Sequence, residues 1–151
     1  MKRRTALQAL ALLPAIHALP GMAASATVHV FKNPECGCCG EWVKHLDSAG
    51  FNTNVTLVSD TAAVRKRFNM PEQFGSCHTA VVGDYALEGH VPASDVKRLL
   101  HERPVAVGLA VPGMPVNAPG MEVAGMPVQP FDVVLVDRAG HGIVYSHYPK
   151  R

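Results

Sequence analysis

The sequence predicts an α/β domain whose elements follow in the order β-α-β-α-β-β-α, then a loop rich in Met, Pro and Gly and a C-terminal β-hairpin. Three observations predict it. Short β-branched runs alternate with helical hydrophobic spacing, the candidate helices carry start and stop signals, and turn dipeptides separate the later strands. Strands that alternate with helices pair in parallel through right-handed crossovers, whereas strands joined by a tight turn pair antiparallel, so we expect a mixed sheet.

The first strand, the first helix and the second strand form a β-α-β unit. Alternating β-branched residues indicate a strand at 27–31, and apolar residues at helical spacing indicate a helix at 36–49 that Gly50 ends. A second strand follows at 54–58.

A second helix, a β-hairpin and a third helix complete the domain. Ser59 or Asp60 is the expected cap of the second helix, and Ser94 is the expected cap of the third. The dipeptide Gly83-Asp84 joins two short strands in a tight turn. The second helix is expected to end before Pro71, the two strands to cover 79–82 and 85–87, and the third helix to run from its Ser94 cap through His101.

The composition changes after the third helix. Residues 104–130 are rich in Pro, Gly and Val and contain the tripeptide Pro-Gly-Met at Pro112 and again at Pro119. This composition excludes a helix, and a loop of this length usually has a function. A terminal hairpin then pairs residues 131–136 with 143–147.

Residues 1–26 are expected to be a cleaved export signal, which leaves one domain at 27–151 that acts in the bacterial periplasm. A basic start and a short apolar run precede the small-x-small sequence Ala24-Ser25-Ala26. Proline interrupts the run, which is shorter than the roughly 20 residues that span a bilayer. A retained anchor is the alternative, and the pair Arg3-Arg4 leaves the twin-arginine route open beside the favoured general secretory route.

The charge balance argues against nucleic acid and the membrane surface as partners. The chain has 14 basic and 12 acidic residues. The signal holds three of the basic residues and no acidic one, so the mature domain would carry 11 against 12. A near-neutral domain lacks the positive charge that attracts nucleic acid or anionic lipid.

Three of the four cysteines lie close together. Cys36, Cys38 and Cys39 open the first helix, and Cys77 lies in a later loop. Disulfides between such near neighbours close almost no loop and add little stability, which disfavours purely structural pairs. Unpaired N–H groups at a helix start stabilise thiolates, and the C-x-x-C spacing of Cys36 and Cys39 is typical both of redox dithiols and of metal chelators.

The position of Cys38 leaves two arrangements open. On a regular helix its side chain lies about 200° around the axis from Cys36, whereas Cys39 shares the face of Cys36. An irregular first turn would let all three sulfurs converge. Otherwise Cys38 would bind a second ion or act as a resolving thiol.

The strand, the C-x-x-C at a helix start and the element order that follows resemble the thioredoxin superfamily. In that fold a cis-proline loop before the third strand faces the C-x-x-C. Here His78 has the place of the proline and Cys77 precedes it. The resemblance therefore implies that Cys77 lies opposite the other three cysteines.

Four motifs more specifically resemble the periplasmic CopG-type copper-resistance proteins. They are Cys36-Gly37-Cys38-Cys39, Cys77-His78-Thr79, Glu88-Gly89-His90-Val91-Pro92 and Val111-Pro112-Gly113-Met114-Pro115. The resemblance implies a thioredoxin-like fold that holds one or several copper ions in a thiolate cluster. It also implies a role in copper tolerance and copper redox chemistry, with periplasmic copper-export or redox proteins as partners.

The residue types independently favour copper(I). Soft thiolate and thioether donors select Cu(I), whereas a structural zinc site uses two separated ligand pairs. The candidate metal ligands are Cys36, Cys38, Cys39, Cys77, His78, Met114 and Met121. Cys36 and Cys39 are also the candidate catalytic dithiol. The alternative role of Met114 and Met121 is hydrophobic packing. His90 is expected to serve in capping or core packing.

Residues 104–130 are expected to form a lid over the copper. Proline stiffens the segment and lowers the entropy lost when it becomes ordered. The hairpin after it can join the domain only if the segment runs back across the surface. A lid there would exclude water and oxidant from Cu(I).

Three other functions fit parts of the sequence. A metal-free thiol-disulfide oxidoreductase accounts for the C-x-x-C but needs only two thiols, and it uses the cis-proline that this chain lacks. Arsenate-reductase-like chemistry accounts for Asn33-Pro34-x-Cys36, but it needs arginines beside the thiol, and Arg65 is expected on a remote helix. A non-catalytic adaptor with two structural disulfides is the third.

Overall fold

The computed structural model describes residues 26–127 and 129–149, so the expected export signal lies outside the described residues except for Ala26. In these ranges the chain forms one seven-stranded sheet, three α-helices and a short 3₁₀ turn. The strands are β1 (Thr27–Lys32), β2 (Asn52–Leu57), β3 (His78–Val82), β4 (Tyr85–Glu88), β5 (Gly108–Ala110), β6 (Phe131–Val136) and β7 (Gly142–Tyr148). The helices are α1 (Gly37–Ser48), α2 (Thr61–Arg67) and α3 (Ala93–Glu102), and the 3₁₀ turn is Glu72–Phe74.

The sheet has the strand order β2-β1-β3-β4-β5-β6-β7. β1 pairs in parallel with β2, across the connection through α1, and antiparallel with β3. β4 pairs antiparallel with β3 and in parallel with β5, after which the chain returns antiparallel through β6 and β7. The predicted mixed α/β sheet is confirmed.

Strand β5 lies inside the segment 104–130, where the sequence predicted only loop. All three of its residues are buried between β4 and β6, so it joins the terminal hairpin to the rest of the sheet. A side chain at Gly108 would collide with the backbone of Ala86 on β4, so this close approach requires glycine. The prediction of loop was wrong here because three residues among Pro and Gly are too few to show alternation.

The helix starts are partly as predicted. Asp60 caps α2, with its Oδ1 accepting a hydrogen bond from Ala63 N at 3.1 Å. The predicted Ser94 cap is wrong, because α3 begins at Ala93 after Pro92 and Ser94 already belongs to the first turn. The Ser94 hydroxyl instead lies 3.1 Å from the Tyr148 hydroxyl on β7.

The main hydrophobic core joins the sheet to α1 and α3. Trp42 is fully buried and donates from its indole nitrogen to the Val91 carbonyl oxygen at 2.9 Å. The fully buried members of this core include Val28, Val30, Trp42, Leu46, Leu87, Val96, Leu99 and Leu109. This packing fixes the start of α1 against β3 and the end of β4. Within the described ranges, every helix is too short or too polar to cross a bilayer.

Candidate metal centre

Cys36 lies just outside helix α1. Its φ and ψ of −76° and 93° are extended, and the helix begins at Gly37. Cys36 and Cys38 are therefore not related by helical geometry, and their sulfurs lie 3.6 Å apart. Of the two arrangements that the sequence left open, the structure shows the irregular start in which the sulfurs converge.

Cys77 reaches these sulfurs from the loop before β3. Its Sγ lies 3.5 Å from that of Cys39 and 4.0 Å from that of Cys38. All four sulfurs, those of Cys36, Cys38, Cys39 and Cys77, lie within 4.8 Å of one another. We call these four residues the sulfur cluster; helix start and loop together supply its donors, in the arrangement that the thioredoxin resemblance implied.

The sulfur cluster is partly oxidised. Cys36 and Cys39 form a disulfide, whereas Cys38 and Cys77 are free thiols. Metal ions bind thiolates rather than disulfides, so this form offers two of its four sulfurs as strong donors. Reduction by two electrons and two protons would release the other two as thiols, which links the metal capacity of the site to its redox state.

His90, predicted from the sequence to serve in capping or core packing, is a candidate ligand. The ring is buried as expected, but its Nε2 lies 3.3 Å from Cys77 Sγ. Its Nδ1 lies 2.7 Å from the carbonyl oxygen of Pro119, which only accepts, so Nδ1 carries the proton and Nε2 presents its lone pair to the sulfur. Metal-binding histidines are commonly oriented by such a bond from the other ring nitrogen.

His78, predicted as a ligand, also lies beside Cys77, and its ring is in edge contact with that of His90, with centroids 5.0 Å apart. Its Nδ1 is 3.5 Å from Cys77 Sγ, and its ring packs against Trp42 with centroids 4.3 Å apart. Among the described residues, its buried Nε2 has no hydrogen-bond partner. Cys77, His78 and His90 thus form a second donor group that shares its sulfur with the first.

The electrostatics of this second group keep it uncharged. Burial, and to a smaller extent the neighbouring His90, lower the pKa of His78 to about 3. Burial likewise lowers the pKa of His90. Burial, followed by the nearby Cys38, raises the pKa of Cys77 to about 12. Both imidazoles are therefore neutral and able to bind a metal, and an ion that binds Cys77 must displace the thiol proton.

Part of the segment 104–130 packs directly against the site. A Cβ at Gly120 would lie 2.6 Å from Trp42 N and 2.9 Å from Cys38 O, so this residue touches the first turn of α1. Pro119 precedes it and accepts the His90 hydrogen bond. Met121 is half-buried against the main core and Met114 is 43% exposed, and their role as thioether donors stays a prediction.

Comparisons with known proteins match most of this chain. Residues 74–121 match a family described as "Protein of unknown function, DUF411". A solved structure named "Copper resistance protein copG- Form 2" is 42% identical with a TM-score of 0.77, and "Copper resistance protein copG- Form 1" is 41% identical with the same TM-score. Each alignment covers 83% of this chain and 99% of the solved chain. No curated protein matches the sequence.

Proposed function

The chain belongs to the CopG family of copper resistance proteins, and from this premise we propose that it binds copper(I) through the sulfur cluster. The observation that carries the proposal is the convergence of four sulfurs, from two separate elements, within 4.8 Å of one another. Thiolates are soft donors that select Cu(I) over harder metal ions. The protein would thereby contribute to copper tolerance.

The imidazoles of His78 and His90 extend the donor set on the side of Cys77. Both are neutral and buried, and His90 is oriented by its hydrogen bond to Pro119. Because Cys77 belongs to both donor groups, its sulfur is suited to bridge an ion held by thiolates and an ion held by imidazoles.

Copper capture depends on the reduction of the Cys36–Cys39 disulfide. The oxidised protein has two free thiols, and the reduced protein has four. A partner that supplies electrons would therefore prepare the site to bind copper, and oxidation of the dithiol would weaken copper binding. The same dithiol supports the alternative function, a metal-free thiol-disulfide oxidoreductase, since it already forms a disulfide in this structure.

We place this activity in the periplasm, with copper ions as the cargo and copper-export or redox proteins as partners. The features that support export are the basic start, the apolar run and the Ala24-Ser25-Ala26 site of residues 1–26. In an oxidising compartment the disulfide form is stable until a reductant acts on it, which suits a redox-controlled copper site.

Anaerobic titration with Cu(I) tests the proposal. The protein is prepared once fully reduced and once with the Cys36–Cys39 disulfide intact, and free thiols are counted before and after loading. We expect the reduced form to bind copper with loss of thiol reactivity at all four cysteines, and the oxidised form to bind less. Equal binding by the two forms would refute the proposed role of the dithiol, and rapid disulfide exchange without copper binding would favour the alternative.

A further inference from the structure

The carboxyl group of Glu88 lies behind the loop that carries Cys77. Glu88 ends strand β4 and its side chain is fully buried. Its Oε1 lies 2.7 Å from Ser76 N, 3.0 Å from Ser76 Oγ and 3.1 Å from Arg65 Nε. Its Oε2 accepts from the Thr79 hydroxyl at 2.7 Å. Two of the residues that donate to Glu88, Ser76 and Thr79, thus flank Cys77 and His78.

Arg65 completes this buried network. The sequence predicted it on a helix remote from the thiols, but its guanidinium lies beside the Cys77 loop and donates to the carbonyl oxygen of Ser76 at 3.3 Å. The same group is paired with Glu88 and, through two contacts of 2.8 Å, with Glu72. Because both of its ionic partners are carboxylates, Arg65 is committed to structure and is not available as an oxyanion ligand.

A buried ion pair is costly to desolvate, and breaking one by removing a single partner is strongly destabilising. Here the pair fixes Ser76 at both its amide, through Glu88, and its carbonyl, through Arg65. Residues 75–77 have no helix or strand of their own. The position of the Cys77 sulfur therefore depends on these side-chain contacts.

The two residues after Glu88 contact the same loop. Gly89 has a φ of +75°, its amide donates to the His78 carbonyl oxygen at 3.2 Å, and a Cβ there would lie 3.0 Å from Ser76 Oγ. His90 follows with its ring nitrogen beside Cys77 Sγ. Three successive residues, Glu88, Gly89 and His90, thus all contact the loop that carries Cys77.

We infer that Glu88 is a positioning residue of the metal site, which holds Cys77 where its sulfur completes the cluster. Its carboxylate acts on the loop through Ser76, Thr79 and Arg65. The inference rests on the proposed copper function for its consequence, but the placement of Cys77 can be measured without copper. Residues that orient a metal ligand typically contribute 10–100-fold to affinity.

The substitution Glu88→Gln tests this, with Glu72→Gln as the matched control. Glu88→Gln keeps the shape but removes the charge and replaces one acceptor with a donor, so the contacts from Arg65, Ser76 and Thr79 cannot all persist. Glu72→Gln removes the other carboxylate that pairs with Arg65 and leaves the Ser76 contacts in place. The Glu72 side chain is 80% exposed. We expect Glu88→Gln to weaken Cu(I) binding by about 10–100-fold and Glu72→Gln to leave it unchanged.

A metal-free measurement separates the inference from the copper proposal. In the apo protein with the Cys36–Cys39 disulfide, the alkylation rate of Cys77 is compared with that of Cys38 by mass spectrometry. We expect the ratio to rise severalfold in Glu88→Gln and to stay at the wild-type value in Glu72→Gln. If Glu88→Gln fails to fold, Thr79→Val removes one donor to the carboxylate and is measured instead.

An unchanged alkylation ratio together with unchanged copper affinity in a folded variant would overturn the inference. A wild-type protein that binds no copper would overturn the proposed function, and a raised alkylation ratio would still support the positioning of Cys77 by Glu88.

Discussion

The sulfur cluster lies on two segments that are held in different ways: the start of α1, here called the α1 arm, and the loop before β3, here called the loop arm. The start of α1 carries three sulfurs and is arranged by near neighbours: Cys36 N donates to Asn33 O at 3.1 Å, and Glu35 N donates to the Asn33 side chain at 2.9 Å. The loop before β3 carries one sulfur and is held by residues distant in sequence, chiefly Arg65 and Glu88.

This difference suggests that the α1 arm supplies donors that change with redox state, whereas the loop arm supplies a donor of fixed position. The α1 arm contains the disulfide, so its donor capacity changes with redox state. The loop arm contributes Cys77, beside His90, from a framework of buried hydrogen bonds made by Arg65 and Glu88. A site of this kind can gain and lose two thiolates while its fourth sulfur stays in place. The predictions below test the two arms separately.

The largest effect is expected from Cys77→Ser, which removes the sulfur shared by both donor groups. We expect Cu(I) affinity to fall more than about 100-fold, because even loss of a residue that only orients a ligand costs 10–100-fold. Competition with a chelator of known affinity measures the change, and the unfolding of the apo protein provides the control for folding. Unchanged copper affinity and stoichiometry would show that the loop arm does not serve the metal.

A smaller loss is expected from His90→Gln, which removes the imidazole beside Cys77 but keeps a polar side chain. Copper affinity should fall about 10–100-fold if the ring acts as ligand or orients the sulfur. His45→Gln is the matched control, because the ring of His45 accepts a backbone hydrogen bond from Ala93 N away from the cluster. Equal copper affinity in both variants would assign His90 to packing alone.

The contact of the 104–130 segment with α1 predicts a difference between two glycines. Gly120 and Gly125 have similar φ values of +83° and +81°, but only Gly120 has backbone atoms where a Cβ would lie. Gly125→Ala should cost about 1 kcal/mol of unfolding free energy from the positive φ, and Gly120→Ala should cost about 1–3 kcal/mol more from the collision with α1. Chemical denaturation measures both, and equal costs would mean that the segment does not pack on the helix start.

The smallest effect is expected from the double substitution Met114→Leu and Met121→Leu. Leucine keeps volume and apolar character, so the stability of the apo protein should be nearly unchanged. If the thioethers serve the metal, copper should be retained more weakly and oxidised faster. Unaltered retention and oxidation rate in a stable variant would reduce both methionines to packing.

Features that depend on near neighbours in the chain could be predicted from the sequence. The Asp60 cap, the helix that follows the cysteines and the β3–β4 hairpin all arise from neighbours within a few residues. The placement of Cys77 was reached through the family resemblance, because no periodicity relates a loop to a helix start. The resemblance to CopG proteins is confirmed by the two solved structures.

The features that sequence reasoning missed depend on partners remote in the chain. Glu88 and His90 lie in one motif, yet their roles follow from Ser76 and from the Pro119 carbonyl, which no spacing rule connects to them. Buried polar residues are identified by their partners, and those partners are known only once the fold is known. The Glu88-Gly89-His90 motif next to a cysteine-bearing loop was the available signal.

X-ray absorption at the copper edge of the reduced, loaded protein measures whether the helix start and the loop bind copper together. We expect a Cu(I) edge and a first coordination shell dominated by sulfur, with sulfur coordination reduced in Cys77→Ser. A first shell of oxygen and nitrogen alone, or a wild-type spectrum that Cys77→Ser leaves unchanged, would contradict the proposal that helix start and loop bind copper together.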